Sequence, residues 1–318
     1  MPTPRRPDRA AALLALVLTA ALASGCTSLF QRGEPAPGPS AAPQRPAEVL
    51  PVDPRSADMR AYFTRIEEER RARGLMRTDP GAQDVVVTPA RLAETYIAIA
   101  LNNELSTPGA SSASVLRRWE VPVRYSLEFG ASTGRATRVG DYQDVRALAA
   151  RMATAARHSI TVAPLGDSSG NFHVLVLSES ERLEAGERIR TLIPGIDERA
   201  VRLITDMPRE TFCLAMAFSR DGSAAYTEAV AVIRAEHPDL TRLACYHEEL
   251  SQGLGLAADS GRARPSIFND DQEFALLTDM DLLLLQIHYD PRLTPGMTER
   301  EARPIIFSIA SELVAGAS

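Results

Sequence analysis

Hydrophobic positions along the chain fall into stretches of different period, and the first is a block. Arg5, Arg6 and Arg9 precede an apolar run from Ala10 to Ala23. Its fourteen residues fall short of the roughly 20 that a spanning helix needs, so the run is expected to be a secretory signal. From Gln31 to Asp58 Pro, Ala and Gly dominate, which predicts a tether that cannot bury a core. Arg60 to Arg73 has few apolar positions and a Glu-Glu-Glu-Arg-Arg run, predicting an exposed helix with same-face ion pairs, a solvated spacer.

Beyond it the periods alternate. Thr88 followed by Pro89 reads as an N-cap with Pro in the first turn, and Ala93 to Leu105 as a buried helix. Trp119 to Phe129 alternates, placing Val121, Val123, Tyr125 and Leu127 on one strand face. Asp144 to Arg157 has helical spacing, and Ile160–Val162 and Asn171–Leu177 read as strands. Pro194-Gly195 marks a turn before a short helix, Asp197 to Thr205. Ala229 to Ile233 is a β-branched strand ahead of a helix bearing Glu248. An apolar helix opens at Leu277-Thr278-Asp279-Met280-Asp281 with Asp279 as its expected cap, and a last helix spans Arg303 to Val314.

The chemistry concentrates in Glu248-Glu249-Leu250-Ser251-Gln252-Gly253-Leu254-Gly255-Leu256. Residues four apart share a helix face and can converge on one ion, as Glu248 and Gln252 would. The segment resembles the HExxHxLGL pattern of the metzincin branch of the zincin metallopeptidases, with both histidines replaced. Aligned on Leu254-Gly255-Leu256, Glu248 and Gln252 stand at the histidine positions and Glu249 at the general-base position. Ser266-Ile267-Phe268 resembles the segment near the Met-turn, with Phe268 for Met, and Leu277 to Tyr289 resembles the closing helix of matrixin-like domains. The likeness spans Val115 to Met297. It implies a zincin-like α+β domain: a twisted sheet, an active-site helix and a closing helix. Glu-Glu-x-x-Gln-x-Leu-Gly-Leu, Ser-Ile-Phe-Asn-Asp and Tyr-Asp-Pro-Arg together also resemble a bacterial envelope domain family known only as a domain of unknown function.

This resemblance makes Glu249 the candidate general base and Glu248, Gln252 and Asp259 the candidate metal ligands. Zinc accepts carboxylate but favours imidazole and thiolate, whereas an amide oxygen suits calcium or magnesium. The cofactor is thus either none or a divalent metal, zinc or calcium. Arg262 and Arg264 offer a competing arrangement in which they neutralise Glu248 and Asp259. His247 lies one residue out of register and pairs with Ser251; in a shifted register it would join His288. No Gly-x-Ser-x-Gly elbow occurs, and Asp270, Asp271, Asp279 and Asp281 lack the Gly and terminal Glu of an EF-hand loop.

Composition narrows the compartment. Leu22-Ala23-Ser24-Gly25-Cys26 resembles a lipobox, which makes Cys26 the expected lipidated residue and the membrane a partner through that anchor. Thr27 after it resembles the pattern sorted to the outer membrane. Residues 1–25 are then a lipoprotein signal peptide, 26–57 a tether, 58–87 a charged helical extension and 88–318 the zincin-like domain. Net charge is −6, and loss of the signal's arginines makes the mature chain more acidic, which argues against nucleic acid. With Cys26 lipidated, Cys213 and Cys245 remain, and in an oxidising periplasm they are expected to pair. Two readings stay open: a degenerate domain that binds or scaffolds an envelope protein or peptide, and an active metallopeptidase with a non-standard metal site.

Overall fold

The structure, a computed structural model, describes residues 53–102 and 114–316. Cys26, the signal segment and nearly all of the tether lie outside the described residues, as does the end of the helix expected to reach Leu105.

Helix α1 (Pro54–Ala72) is capped by Asp53, whose side chain accepts from Arg55 N–H. It carries the expected i,i+4 pairs Arg65–Glu69 and Glu67–Arg71. The solvated-spacer expectation is corrected by its one fully buried aromatic. Phe63 packs edge-on against Phe212 and His237, with ring centroids 5.0 and 4.2 Å away. Glu67 accepts hydrogen bonds from the backbone N–H and hydroxyl of Thr241 at 3.0 and 2.7 Å. A carboxylate there satisfies donors at a helix N-terminus and complements its dipole. Helix α2 (Pro89–Ala100) starts at Thr88, which caps Arg91 N–H at 3.2 Å.

The centre is a mostly parallel sheet, so the class is α+β as the sequence indicates. Strands β1 (Arg118–Trp119) and β2 (Val123–Phe129) stand where one strand was expected. Pro122 interrupts them and leaves Val121 exposed, since proline lacks the N–H a sheet ladder uses. Helix α3 (Arg135–Ala156) leads to β3 (Ile160–Val162) and β4 (Phe172–Leu177). Helices α4 (Glu179–Leu183), α5 (Gly186–Leu192) and α6 (Glu198–Thr205) follow. Then come β5 (Cys213–Ser219), β6 (Ala225–Arg234) and helix α7 (Asp239–Gln252). Helices α8 (Asp279–His288) and α9 (Glu299–Gly316) close the described chain.

Across the sheet the order is β3-β2-β4-β6-β5, with β1 pairing β6 beyond the start of β4. All pairs are parallel except β5 with β6, whose register runs from Cys213 opposite Ile233 to Ser219 opposite Tyr226. The strand alternation sorts two cores. Phe172, Val174 and Val176 of β4 with Ala229, Ala231 and Ile233 of β6 face the main core, shared with α2, α3, α7, α8 and α9. Leu175, Leu177, Val230 and Val232 face a second cluster with Ile189, Val201 and Ile204. Because both faces are covered, β4 is buried at every position, which is why it reads as an apolar run interrupted only by His173.

Helix α8 is capped by Thr278, not Asp279. Thr278 Oγ1 accepts from Asp281 N–H, and Asp281 returns the bond to Thr278 N–H at 2.8 Å, a capping box. The same carboxylate accepts from Ser266 Oγ at 2.5 Å and Ile267 N–H at 3.2 Å, fixing the Ser266-Ile267-Phe268 turn on which buried Phe268 packs. No helix among the described residues is long and apolar enough to cross a membrane.

Candidate functional site

Helix α7 lies beneath β5 and β6, and its C-terminal turn is held from three sides. Trp119 Nε1 donates to Gly253 O at 2.8 Å, Tyr289 OH to Leu254 O at 3.0 Å, and Tyr125 OH to Leu250 O at 3.4 Å. Gly255 turns the chain at φ +124, and a Cβ there would lie 2.1 Å from His288 Nε2 and 2.4 Å from Arg117 O. Both the conformation and the space therefore require glycine. Gly255→Ala is expected to destabilise the protein by about 3 kcal/mol or more, measured by urea unfolding; a loss under about 1 kcal/mol would show that the turn relaxes freely.

Cys213 at the start of β5 and Cys245 on α7 form the expected disulfide, Cα to Cα 5.9 Å, across a sequence separation of 32. In the chain-entropy account a loop of that length stabilises by about 3 to 4 kcal/mol. The bridge fastens the sheet's antiparallel edge strand to the helix below it.

The candidate residues divide between two cavities. Glu248 lines one of about 30 Å³, with Cys213, Cys245, Arg70 and Thr241. Glu249 is buried, at 4% exposure. One oxygen from each of these carboxylates and the sulfur of Cys213 lie within 4.8 Å of one another. Gln252 instead lines a cleft of about 350 Å³ bounded by β5, residues 114–117 and the ends of α2 and α7. Its side-chain amide donates to Asp259 Oδ1 at 3.4 Å. The structure thus brings Glu248 to Glu249 and Cys213, and Gln252 to Asp259, rather than Glu248, Gln252 and Asp259 to one point.

The arginines are placed differently from the expected network. Arg264 pairs with Glu273 at 2.5 Å and Asp84 at 3.1 Å, not with Glu248 or Asp259. The side chain of Arg262 lines a separate groove with Arg91 and Arg303. Among the described residues, Arg70 borders the same cavity as Glu248 and feels its charge. Burial lowers the pKa of its guanidinium, and the charge of Glu248 acts in the opposite direction.

Histidines near the helix are structural. His247 Nδ1 accepts from Leu277 N–H at 2.9 Å, and burial pushes its pKa down to about 3. His288 Nδ1 sits 3.0 Å from Tyr96 OH, and burial likewise pushes it down to about 3. Each is a buried imidazole held by a hydrogen bond inside the core, and among the described residues neither belongs to a group of three His, Cys, Asp or Glu side chains close enough to share an ion.

Sequence reading missed two features of the site. Strand β5 was not anticipated, although Leu214, Met216 and Phe218 alternate with Cys213, Ala215 and Ala217. The first set packs on the second core, and the second set faces the main core and α7. The approach of Cys213 to both glutamates depends on that strand. The i,i+3 and i,i+4 spacing of Cys245 with Glu248 and Glu249 was the available signal.

No curated protein and no solved structure matches the chain. A family model does, over residues 89–308, and its description is a protein of unknown function, DUF2927. That match begins at the first residue of α2, ends within α9 and takes in the sheet, α7 and the cleft. With more than half its length covered, the chain belongs to the DUF2927 family.

Proposed function

We propose that this is a lipid-anchored cell-envelope protein whose domain is a degenerate zincin-like frame, and that it binds an extended peptide segment of an envelope partner rather than cutting it. The observation that carries the reading is β5: an antiparallel edge strand over α7, with no strand on its outer side among the described residues and a cleft of about 350 Å³ alongside. An edge strand presents backbone donors and acceptors to which an extended peptide can add, and side-chain pockets beside it supply selectivity. Ala215 and Ala217 keep the face of β5 towards α7 small, which leaves the cleft its room.

Support for the zincin-like frame comes from the sheet order, the single antiparallel strand next to β6, and the helix that follows β6 and carries the motif. Support for degeneracy comes from the donor set. Catalytic zinc is held by three protein ligands with an open position for water. Here the helix supplies carboxylates beside a sulfur already committed to a disulfide, and Gln252 is turned towards Asp259. The disulfide also suits an oxidising envelope compartment. The lipid anchor at Cys26 and an outer-membrane location rest on the signal pattern.

Ala217→Trp tests the reading, because an indole at that position fills the cleft that Gln252, Gly253 and Gly255 line from the opposite side, with circular dichroism confirming that the variant folds. Binding of immobilised random extended peptides to the purified protein is expected to fall about tenfold or more in this variant and to be unchanged in Glu249→Gln. Equal binding by the parent and Ala217→Trp proteins would remove β5 as the binding edge.

A further inference from the structure

Around the Cys213–Cys245 bridge the chain gathers more donor atoms than a cross-link requires. Cys245, Glu248 and Glu249 lie three and four residues apart on α7 and share a helix face. Cys213 meets them from β5, its sulfur and one oxygen of each carboxylate lying within 4.8 Å of one another. Cys213, Cys245 and Glu248 border the cavity of about 30 Å³. A site of roughly 10–15 Å³ holds one water, so the space is large enough for an ion.

We propose that reduction of this bridge turns the cluster into a zinc site, with Cys213, Cys245, Glu248 and Glu249 as its four donors. A dithiol reductant transfers two electrons and two protons: the S–S bond breaks, two thiols form, and the reductant leaves as its own disulfide. Zinc then displaces one proton from each thiol, leaving two thiolates and two carboxylates around a divalent ion. Tetrahedral zinc takes sulfur at about 2.3 Å and carboxylate oxygen at about 2.0 to 2.2 Å, which sets donors roughly 3.5 Å apart. The carboxylates and Cys213 need to close by only about an ångström, and parting the two sulfurs supplies the slack.

With the bridge intact neither sulfur is a thiolate, and Arg70 supplies the positive charge opposite Glu248 in the same cavity. The bridge therefore decides whether α7 carries metal. Nothing in this inference depends on what β5 binds.

The test is zinc uptake by equilibrium dialysis, with Zn²⁺ alone as the probe. It compares oxidised protein with protein reduced by dithiothreitol and freed of it anaerobically, circular dichroism reporting the fold in each state. Reduced protein is expected to take up about one equivalent and oxidised protein less than about a tenth of one. Glu248→Ala and Glu249→Ala are each expected to weaken uptake about tenfold or more, and Arg70→Ala to strengthen it. Substituting both cysteines by serine should abolish it. If that double variant does not fold, cobalt(II) in the reduced parent replaces it, since thiolate-to-metal charge-transfer bands and tetrahedral ligand-field bands report the same donors. Folded, reduced protein without zinc would overturn the proposal. So would uptake undiminished in both glutamate variants, or reduction that unfolds a chain zinc does not restore.

Discussion

Asp141→Ala is expected to destabilise the protein by about 3 to 5 kcal/mol, the range for stripping one partner from a buried ion pair. Asp141 on α3 accepts from Arg242 Nε at 2.8 Å and from Tyr246 OH at 2.8 Å, both donors standing on α7. All three side chains are buried. Removing the carboxylate leaves a guanidinium in the core with only Asp239 and the carbonyl of His237 for company. An unpaired buried charge costs more than the pair contributed, so the variant measures how firmly α7 is tied to the layer beneath it. Asp141→Asn retains an acceptor and is expected to lose less. Urea unfolding followed by circular dichroism supplies the numbers; a loss under about 1 kcal/mol would mean that Arg242 turns wholly to exposed Asp239.

Acid should weaken the fold by a comparable amount well above the carboxylate range. His237, His247 and His288 are each pushed by burial to about 3. Their folded values lie below the unfolded value near 6.5, so between the two the unfolded chain binds more protons. Stability is then full above the unfolded value and is lost as pH falls towards 3. From pH 7 to pH 5 each histidine removes about 2 kcal/mol, the linkage integral between those limits. Asp281 works the other way: burial raises its carboxyl to about 6, so protonation of the folded state offsets about 1 kcal/mol over the same interval. Buried Glu236, also raised by desolvation, adds in that direction. The net expectation is a loss of about 4 kcal/mol between pH 7 and pH 5. Urea midpoints at pH 7, 6 and 5 check it, and a flat profile would show that these imidazoles are solvated or already paired with acids.

How much of this could be read from the chain depended on how strongly each element repeats its period. Residues 174–177 of β4 and 229–233 of β6 are apolar on both faces, which made these central parallel strands legible. Strand β5 escaped because Ala215 and Ala217 weaken its apolar signal and because, as an edge, it is only partly buried at most positions. Helix α3 begins before the expected Asp144 because its first turns, Arg135 to Gly140, carry no apolar stripe; polar bonds hold this end, from Arg138 to the carbonyls of Gly130 and Thr133 and from Arg242, about a hundred residues on, to Asp141. Helix α1 read as a spacer since its inner face is mostly polar, Ser56, Glu67 and Arg70 sharing it with Phe63, so no apolar period shows. Thr278 and Asp279 both qualify as caps by residue type; only the reciprocal bond with Asp281 separates them.

At the site, the motif marked a helix that the structure contains, but its spacing did not give the grouping of the side chains. Spacing along α7 shows which residues share a face. It does not show which neighbouring strand supplies the opposing atom. Cys213 belongs to that second category, and so does Asp259, whose partner is the end of the helix rather than Glu248.

The central claim is binding at β5 without cleavage, and one experiment reads both halves. The purified protein is incubated with a library of envelope-protein peptides, and mass spectrometry scores which peptides are retained and which are cut. The account predicts retention that Ala217→Trp abolishes, with every retained peptide intact. Cleavage that disappears in Glu249→Gln would contradict it and make α7 a working catalytic helix.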